Sequence, residues 1–248
     1  EGLSKQILRT AMEKLSRSTC KPATMCLPYG ITEYGSITDT IEMVSEGSFG
    51  DTIRDLPVTS RYNHSAWIAR RILGGVSSVV TSAVIGMQWL KDSEKAIQAV
   101  NKDNQYLKYF TRLGFPSQQT YNKSQNKRID TFLGKTRIQL NVSKATDDVD
   151  KRKSQSSIAP NYIHSMDATH LLMTALKAHD AGGMRDFSFI HDSFGVHASD
   201  TEDFSRIIRE TFVTLYKGDV LEDLRNQWST QFPTADIPEV PKTAYGTY

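Results

Sequence analysis

Apolar residues recur at helical spacing from the start of the chain, where Leu3, Ile7, Leu8, Ala11 and Leu15 form one stripe. The polar run Ser16 to Lys21 then leads to Pro22, a residue tolerated in the first turn of a helix. One helix is expected to end in that run and a second to begin at Pro22. Over 61–100, Trp67, Ile68, Ile72, Val76, Val79, Val80, Val84, Met87 and Leu90 follow mixed three- and four-residue steps. They predict one or two buried helices, with Gly74 to Leu90 inside the core.

The period changes at Tyr106. Tyr106 to Leu113 reads as a strand closed by Gly114-Phe115-Pro116. Arg128 to Leu133 and Thr136 to Val142 flank Gly134-Lys135, the pattern of a two-stranded ribbon with a short turn. The charged, Ser-rich run Thr146 to Ser157, with Lys151-Arg152-Lys153 at its middle, is expected to be a solvated loop. After Pro160-Asn161 a helix should bury Ile163, Met166, Leu171, Leu172, Ala175 and Ala178 until Gly182-Gly183 stops it. Phe187 to Ile190 alternates into His191-Asp192-Ser193-Phe194-Gly195, a strand, a turn and a return strand. Asp200 or Thr201 caps the next helix, whose stripe is Phe204, Ile207, Ile208, Phe212 and Leu215. Helix, hairpin and helix in this order predict an α+β fold.

Composition narrows the class. The 248 residues carry 30 Lys+Arg against 28 Asp+Glu, a net charge of +2, so bulk charge does not announce a nucleic-acid partner and only local clusters could. Hydrophobic residues make up 38% and mean hydropathy is −0.44, which excludes wholesale disorder. Cys20 and Cys26 have neither the partners of a metal site nor the number of a secreted disulfide framework, so a reducing compartment is expected. Gly74 to Leu90 is diluted by Ser and Thr and falls short of the roughly 20 apolar residues of a bilayer span. No membrane role is expected. Residue 1 is Glu, and a longer or divided polypeptide is expected upstream.

Candidate chemistry lies in three places. Arg17, Lys21, Met25 and Tyr29 are four apart, and three such steps drift roughly 120° on a helix, so they share one broad face. A guanidinium and an ammonium on adjacent turns suit a triphosphate, with Tyr29-Gly30 setting a ring beside a residue without a side chain. The same spacing also describes an ordinary basic face above a core Met and Tyr. If Pro22 begins a new helix, Arg17 leaves the set. Asp192, after His191 at a turn, offers a hard oxygen to Mg²⁺, although a turn Asp more often bonds its own backbone. His164, Asp167 and His170 recur every three residues, too few ligands for zinc. On the ribbon, alternation puts Arg128, Asp130 and Phe132 on one face and Arg137 with Gln139 on a face of the return strand. Such a ribbon fits a major groove, where Arg reads guanine and Gln reads adenine. It could equally touch phosphate alone.

Taken in order, Arg-x3-Lys-x3-Met-x3-Tyr-Gly, then Pro160-Asn161-x2-His164-Ser165-x-Asp167, then His191-Asp192-Ser193-Phe194-Gly195 resemble the C-terminal part of single-subunit, phage-type RNA polymerases. Ile158 to Asp167 is the most specific string, and the likeness runs from about Leu3 through Trp228. The resemblance implies a partial right-hand fold: fingers over 1–163, with a specificity-type hairpin at about 127–142, and part of a palm over 164–248. It implies that Lys21 and Arg17 hold the nucleotide's phosphates on motif B, with Met25, Tyr29 and Gly30 against sugar and base. His164 would lie near the ribose, and His191 and Asp192 would form motif C, Asp192 as metal ligand. Arg128, Asp130, Arg137 and Gln139 would read promoter DNA.

The implied reaction joins nucleoside triphosphates to an RNA 3′-hydroxyl on a DNA template, with two Mg²⁺ ions. The family's motif A, with the second metal-binding Asp, precedes motif B, yet only 16 residues precede Arg17 here and Asp39, Asp51 and Asp55 all follow it. Pro22 stands where some relatives carry another basic residue. The chain alone is therefore expected to be inactive and to need a partner polypeptide with motif A and the N-terminal polymerase part. The compartment implied is the cytoplasm of an infected host cell, or an organelle matrix. Two rivals stand beside this reading: a family A DNA polymerase, which usually carries an aromatic at the Met25 position and Glu where Ser193 follows Asp192, and a non-catalytic nucleic-acid-binding module.

Overall fold

In the computed structural model, which describes residues 2–242 and the side chains of all of these but 2–4 and 181–182, Ser16 starts the second helix. The side chain of Leu3, residue Glu1 and the late Tyr245 and Tyr248 lie outside the described residues. Helix α1 is Gly2–Glu13 and α2 is Arg17–Cys26. The Ser16 hydroxyl accepts from the Thr19 amide while Thr19 Oγ1 accepts from the Ser16 amide, a reciprocal cap that fixes the N-terminus five residues before Pro22. Pro22 thus lies inside α2, not at its start, because the cap satisfies the first donors and Pro removes only one later bond.

The described residues form two compact units, one of residues 2–88 with 241–242, the other of Trp89–Val240. In the first, α3 (Glu33–Ser45), α4 (Asp51–Arg54) and α5 (Val58–Val79) join α1 and α2 around Ile7, Ala11, Ala23, Val44, Phe49, Ile53, Ile68 and Ile72. Helix α6 (Thr81–Val100) carries the chain into the second unit. The expected buried helix over Gly74 to Leu90 is instead interrupted at Val80, and no residue from Leu73 to Gln88 is fully buried. Ser77 and Ser78 hydroxyls donate back to the carbonyls of Leu73 and Gly75, which weakens the helical ladder just before the break. No single helix among the described residues is long and apolar enough to cross a membrane.

The second unit contains three separate two-stranded antiparallel sheets: β1 (Lys108–Phe110) with β2 (Pro116–Gln118), β3 (Asn122–Leu133) with β4 (Thr136–Val149), and β5 (Ser188–Ile190) with β6 (Ser193–Gly195). Around them are α7 (Lys151–Gly182), α8 (Thr201–Leu215) and α9 (Val220–Gln231). The α+β expectation holds. Strand β1 is shorter than predicted because Thr111 to Gly114 closes a tight turn, Gly114 N donating to Thr111 O at 2.8 Å. Its open edge is covered by α9, where Gln227 and Gln231 side chains accept from the Phe110 and Lys108 amides.

The expected loop over Thr146 to Ser157 does not exist. Strand β4 runs to Val149, Asp150 caps α7 by accepting from the Lys153 amide at 3.0 Å, and the helix passes through Pro160. One side of its first turns is buried, through Ser154, Ile158 and Ala159, while Lys151, Arg152, Lys153 and Ser156 stay exposed. Lys151 Nζ donates to the Gln98 carbonyl, and Lys153 stands 5.3 Å from the Tyr121 ring centroid, so two of the three clustered cations act within the fold. Further along, α7 buries Tyr162, Met166, Thr169, Thr174 and Ala178, while Leu172 is 46% exposed. The predicted Leu171-Leu172 face is displaced because Thr174 bonds Thr211 of α8 at 2.8 Å and the His170 carbonyl.

Ser154 Oγ and Gln98 Nε2 both donate to Glu94 Oε1, and the other carboxylate oxygen of Glu94 has no partner. Burial raises the Glu94 pKa above the ordinary 4.5, and the two hydrogen bonds only partly oppose it. The folded state therefore favours the protonated acid. That contribution is complete below the unfolded pKa and is lost as pH rises through the folded one. Stability followed by chemical denaturation should fall with rising pH across this window, and Glu94→Gln should remove that slope.

Candidate functional site

Arg17, Lys21 and Met25 do share one face of α2, and all three are exposed, whereas Thr19 and Ala23 face the core. Neither cation has an acidic partner among the described residues. Met25, 51% exposed, is not the core residue of the ordinary-face alternative. Tyr29 leaves the helix: α2 ends at Cys26, the Tyr29 amide donates to the Cys26 carbonyl, and the half-buried ring belongs to the following turn. Gly30 closes that turn at φ 84°, a backbone region that penalises any Cβ. Sequence spacing captured the cationic face but extended the helix one turn too far, because a four-residue step is also compatible with a turn.

In the second unit, β5 and β6 are joined by a two-residue turn, His191-Asp192, with Ile190 opposite Ser193. His191 has φ 53° while Asp192 does not enter the positive region, the pattern of a type II′ turn. Glycine normally occupies that first position. A histidine there costs on the order of 1–3 kcal/mol of backbone strain, which the flanking aromatic packing must hold. Phe189 and Phe194 of the hairpin and Phe204 of α8 pack at 5.4–6.2 Å centroid separations, Phe194 edge-on to the other two rings. The turn projects the Asp192 carboxylate into solvent.

Beside the turn is a cleft of about 560 Å³, lined by His164, Asp167 and Leu171 of α7 and by Phe189, Ile190 and His191. His164, Asp167 and Leu171 stand on one face of α7 at steps of three and four, whereas the spacing joins His164 and Asp167 to His170 and sends Leu171 into the core. His170 is not part of it. Its Nε2 lies 3.0 Å from the Ile208 carbonyl and its ring packs edge-on against Phe194 and Phe212. No group of three or more potential metal ligands occurs among the described residues. The exposed Asp192 carboxylate offers hard oxygens of the kind that Mg²⁺ takes.

The ribbon's register settles its two faces. Asp130 is opposite Gln139, Phe132 opposite Arg137 and Arg128 opposite Asn141, so all six side chains share one face. Asp130 binds both neighbours across the strands: Arg137 Nη2 at 2.6 Å and Gln139 Nε2 at 3.2 Å. The turn Gly134-Lys135 again has positive φ at its first residue, here a glycine at 62°. At the root, Asn161 of α7 donates to Gln119 Oε1 and to the Tyr121 hydroxyl, both at 2.9 Å. That anchor, and the Glu94 network behind it, left no readable trace in local spacing.

Residues 3–245 match the family model described as DNA-dependent RNA polymerase. The chain belongs to the phage-type RNA polymerase family. It is 34% identical over 243 residues to the DNA-directed RNA polymerase of Enterobacteria phage T3 and 33% identical over 239 residues to T7 RNA polymerase of Escherichia phage T7, covering 92% of this chain in each case. Over 236 residues, 95% of the chain, it is 32% identical to DNA-directed RNA polymerase 3, chloroplastic, of Nicotiana sylvestris. The chain spans about a quarter of the length of these relatives, 27% of the phage enzymes and 23% of the chloroplast one.

In this polymerase segment, His191→Gly should relieve the strained turn and raise stability by up to about 1 kcal/mol in thermal unfolding. Gly30→Ala should lower stability by about 1 kcal/mol, since alanine inherits the positive φ.

Proposed function

We propose that the chain is the portion of a DNA-directed RNA polymerase that carries motif B on α2 and motif C on the β5–β6 hairpin. In the reaction, the RNA 3′-hydroxyl oxygen forms a bond to the α-phosphorus of a nucleoside triphosphate, the bond from that phosphorus to the β-phosphate bridging oxygen breaks, and pyrophosphate leaves. Lys21 and Arg17, exposed on adjacent turns of α2, bind the triphosphate, Lys21 as a point charge and Arg17 through its planar fork. Met25, Tyr29 and Gly30 form the adjoining surface for sugar and base. His164 and His191 border the cleft, where they orient the ribose and the nascent pair.

Asp192 holds Mg²⁺, which when bound stabilises charge on the attacking and leaving oxygens in the family's two-ion scheme. We place the second carboxylate on motif A, in polymerase sequence outside these 248 residues, without which they do not synthesise RNA. DNA template, RNA product and the second polypeptide are its partners. The phage and chloroplast origins of the relatives support the cytoplasm of an infected host cell or an organelle matrix as its place of action.

The fingers-like part extends from residue 1 to 163 and the palm-like part from 164 to 248. On the ribbon, the shared face of Arg128, Asp130, Arg137 and Gln139 reads promoter bases. The array held by Asp130 favours base reading over phosphate contact alone, because it presents a guanidinium and an amide in fixed order. The observation that carries the function is the His191-Asp192 turn: a solvent-facing carboxylate next to a strained His191 that lines a cleft with His164 and Asp167, in a chain of this family.

Asp192→Asn in the assembled enzyme should reduce RNA synthesis on the order of a thousandfold while leaving the far-ultraviolet circular dichroism unchanged. Full activity in that variant would sink the assignment and favour the nucleic-acid-binding module. Ribonucleotides should be incorporated in preference to deoxyribonucleotides, the reverse being the mark of a family A DNA polymerase. Arg137→Ala should flatten discrimination among promoters altered at single base pairs; an equal loss on every promoter would mean phosphate contact.

A further inference from the structure

We propose that the second face of the β3–β4 ribbon is a docking surface for polymerase polypeptide outside the 248 residues, an inference that rests on the reading of the chain as part of an RNA polymerase. Ile129 is opposite Leu140, Thr131 opposite Ile138 and Leu133 opposite Thr136. These residues project from the side opposite the Asp130 array, and from Ile129 to the turn that side has no charged residue. The face is open. Ile129 is 41%, Leu133 73%, Leu140 47% and Val142 45% exposed.

A two-stranded ribbon in water is marginally stable at best. This one is tied at its root, through Tyr106 to Asn122 and Asn104 to Asp148, and among the described residues no other element packs extensively along its length. A face that bears a fixed hydrogen-bonding array needs a rigid back. Nucleic acid is the wrong back, since phosphates and groove edges reward charges and donors, which this side lacks. Apolar protein surface fits, and the matched segment leaves roughly three quarters of each phage relative's length outside it as a source. The ribbon is thus a two-sided plate, reading with one face and seated by the other.

The test uses the RNA-synthesising assembly that contains this chain, with benzoylphenylalanine placed at Leu140 or at Gln139 and promoter DNA present. From the Leu140 position, irradiation should cross-link peptides of polymerase sequence outside residues 1–248, with or without DNA. From the Gln139 position it should cross-link DNA. Cross-linking of the Leu140 position to DNA, to a second copy of this chain, or to nothing overturns the proposal. An assembly that makes no RNA and contains no further polymerase sequence overturns the functional reading too, and activity before irradiation distinguishes that failure. As a second readout, Ile129→Ser with Leu140→Ser should weaken synthesis about tenfold on every promoter alike, leaving their ranking intact. Unchanged synthesis by this double variant, or a changed ranking, counts against the seat.

Discussion

The second unit depends on one buried hydrogen bond, from Ser154 of α7 to Glu94 of α6. It sets the start of a 32-residue helix against α6, with Lys151 bonded to the Gln98 carbonyl beside it. Everything chemically notable in that unit is then referenced to the helix. The ribbon root is held by Asn161, the cleft wall by His164 and Asp167, and α8 by the Thr174–Thr211 pair. A rod of this length spans about 48 Å at 1.5 Å per residue, so small errors at its start would become large displacements at its far end. A polar, tightly specified contact at that start gives the helix one seating where an oily contact would permit sliding.

Much of the fold was legible where local chemistry dictates local shape. Gly134-Lys135 between alternating strands gave the ribbon turn, and the apolar stripes of α5 and α8 gave those helices. Three readings failed for a common reason: they weighed composition over satisfaction of backbone donors. Pro22 appeared to begin a helix, yet the Ser16–Thr19 cap had already begun it. The run after Thr146 appeared polar enough for solvent, yet Asp150 caps a helix whose serine finds a buried carboxylate. Gly74 to Leu90 appeared apolar enough for a core, yet serine hydroxyls and Val80 interrupt it.

The candidate site was legible to the extent that it consists of contiguous motifs. Asp192 and His191 were found because a short loop between strands is a local pattern, and the cationic pair on α2 because its spacing is helical. The pairing of Asp130 with both Arg137 and Gln139 depends on register between strands, which alternation alone leaves ambiguous by one residue. Glycine at the first turn position of one hairpin and histidine at the same position of the other further separate the two. The ribbon turn is relaxed, and the His191-Asp192 turn stores strain next to its carboxylate.

One detail of the ribbon bears on how its parts would act together. A single carboxylate, Asp130, restrains two hydrogen-bonding groups at once. Any base pair that draws Arg137 away also frees Gln139 to reorient, so under the proposed reading the energies of adjoining positions are not additive. Recognition by such a face is cooperative between neighbours, and a table of independent per-position preferences would misrank sites that differ at both.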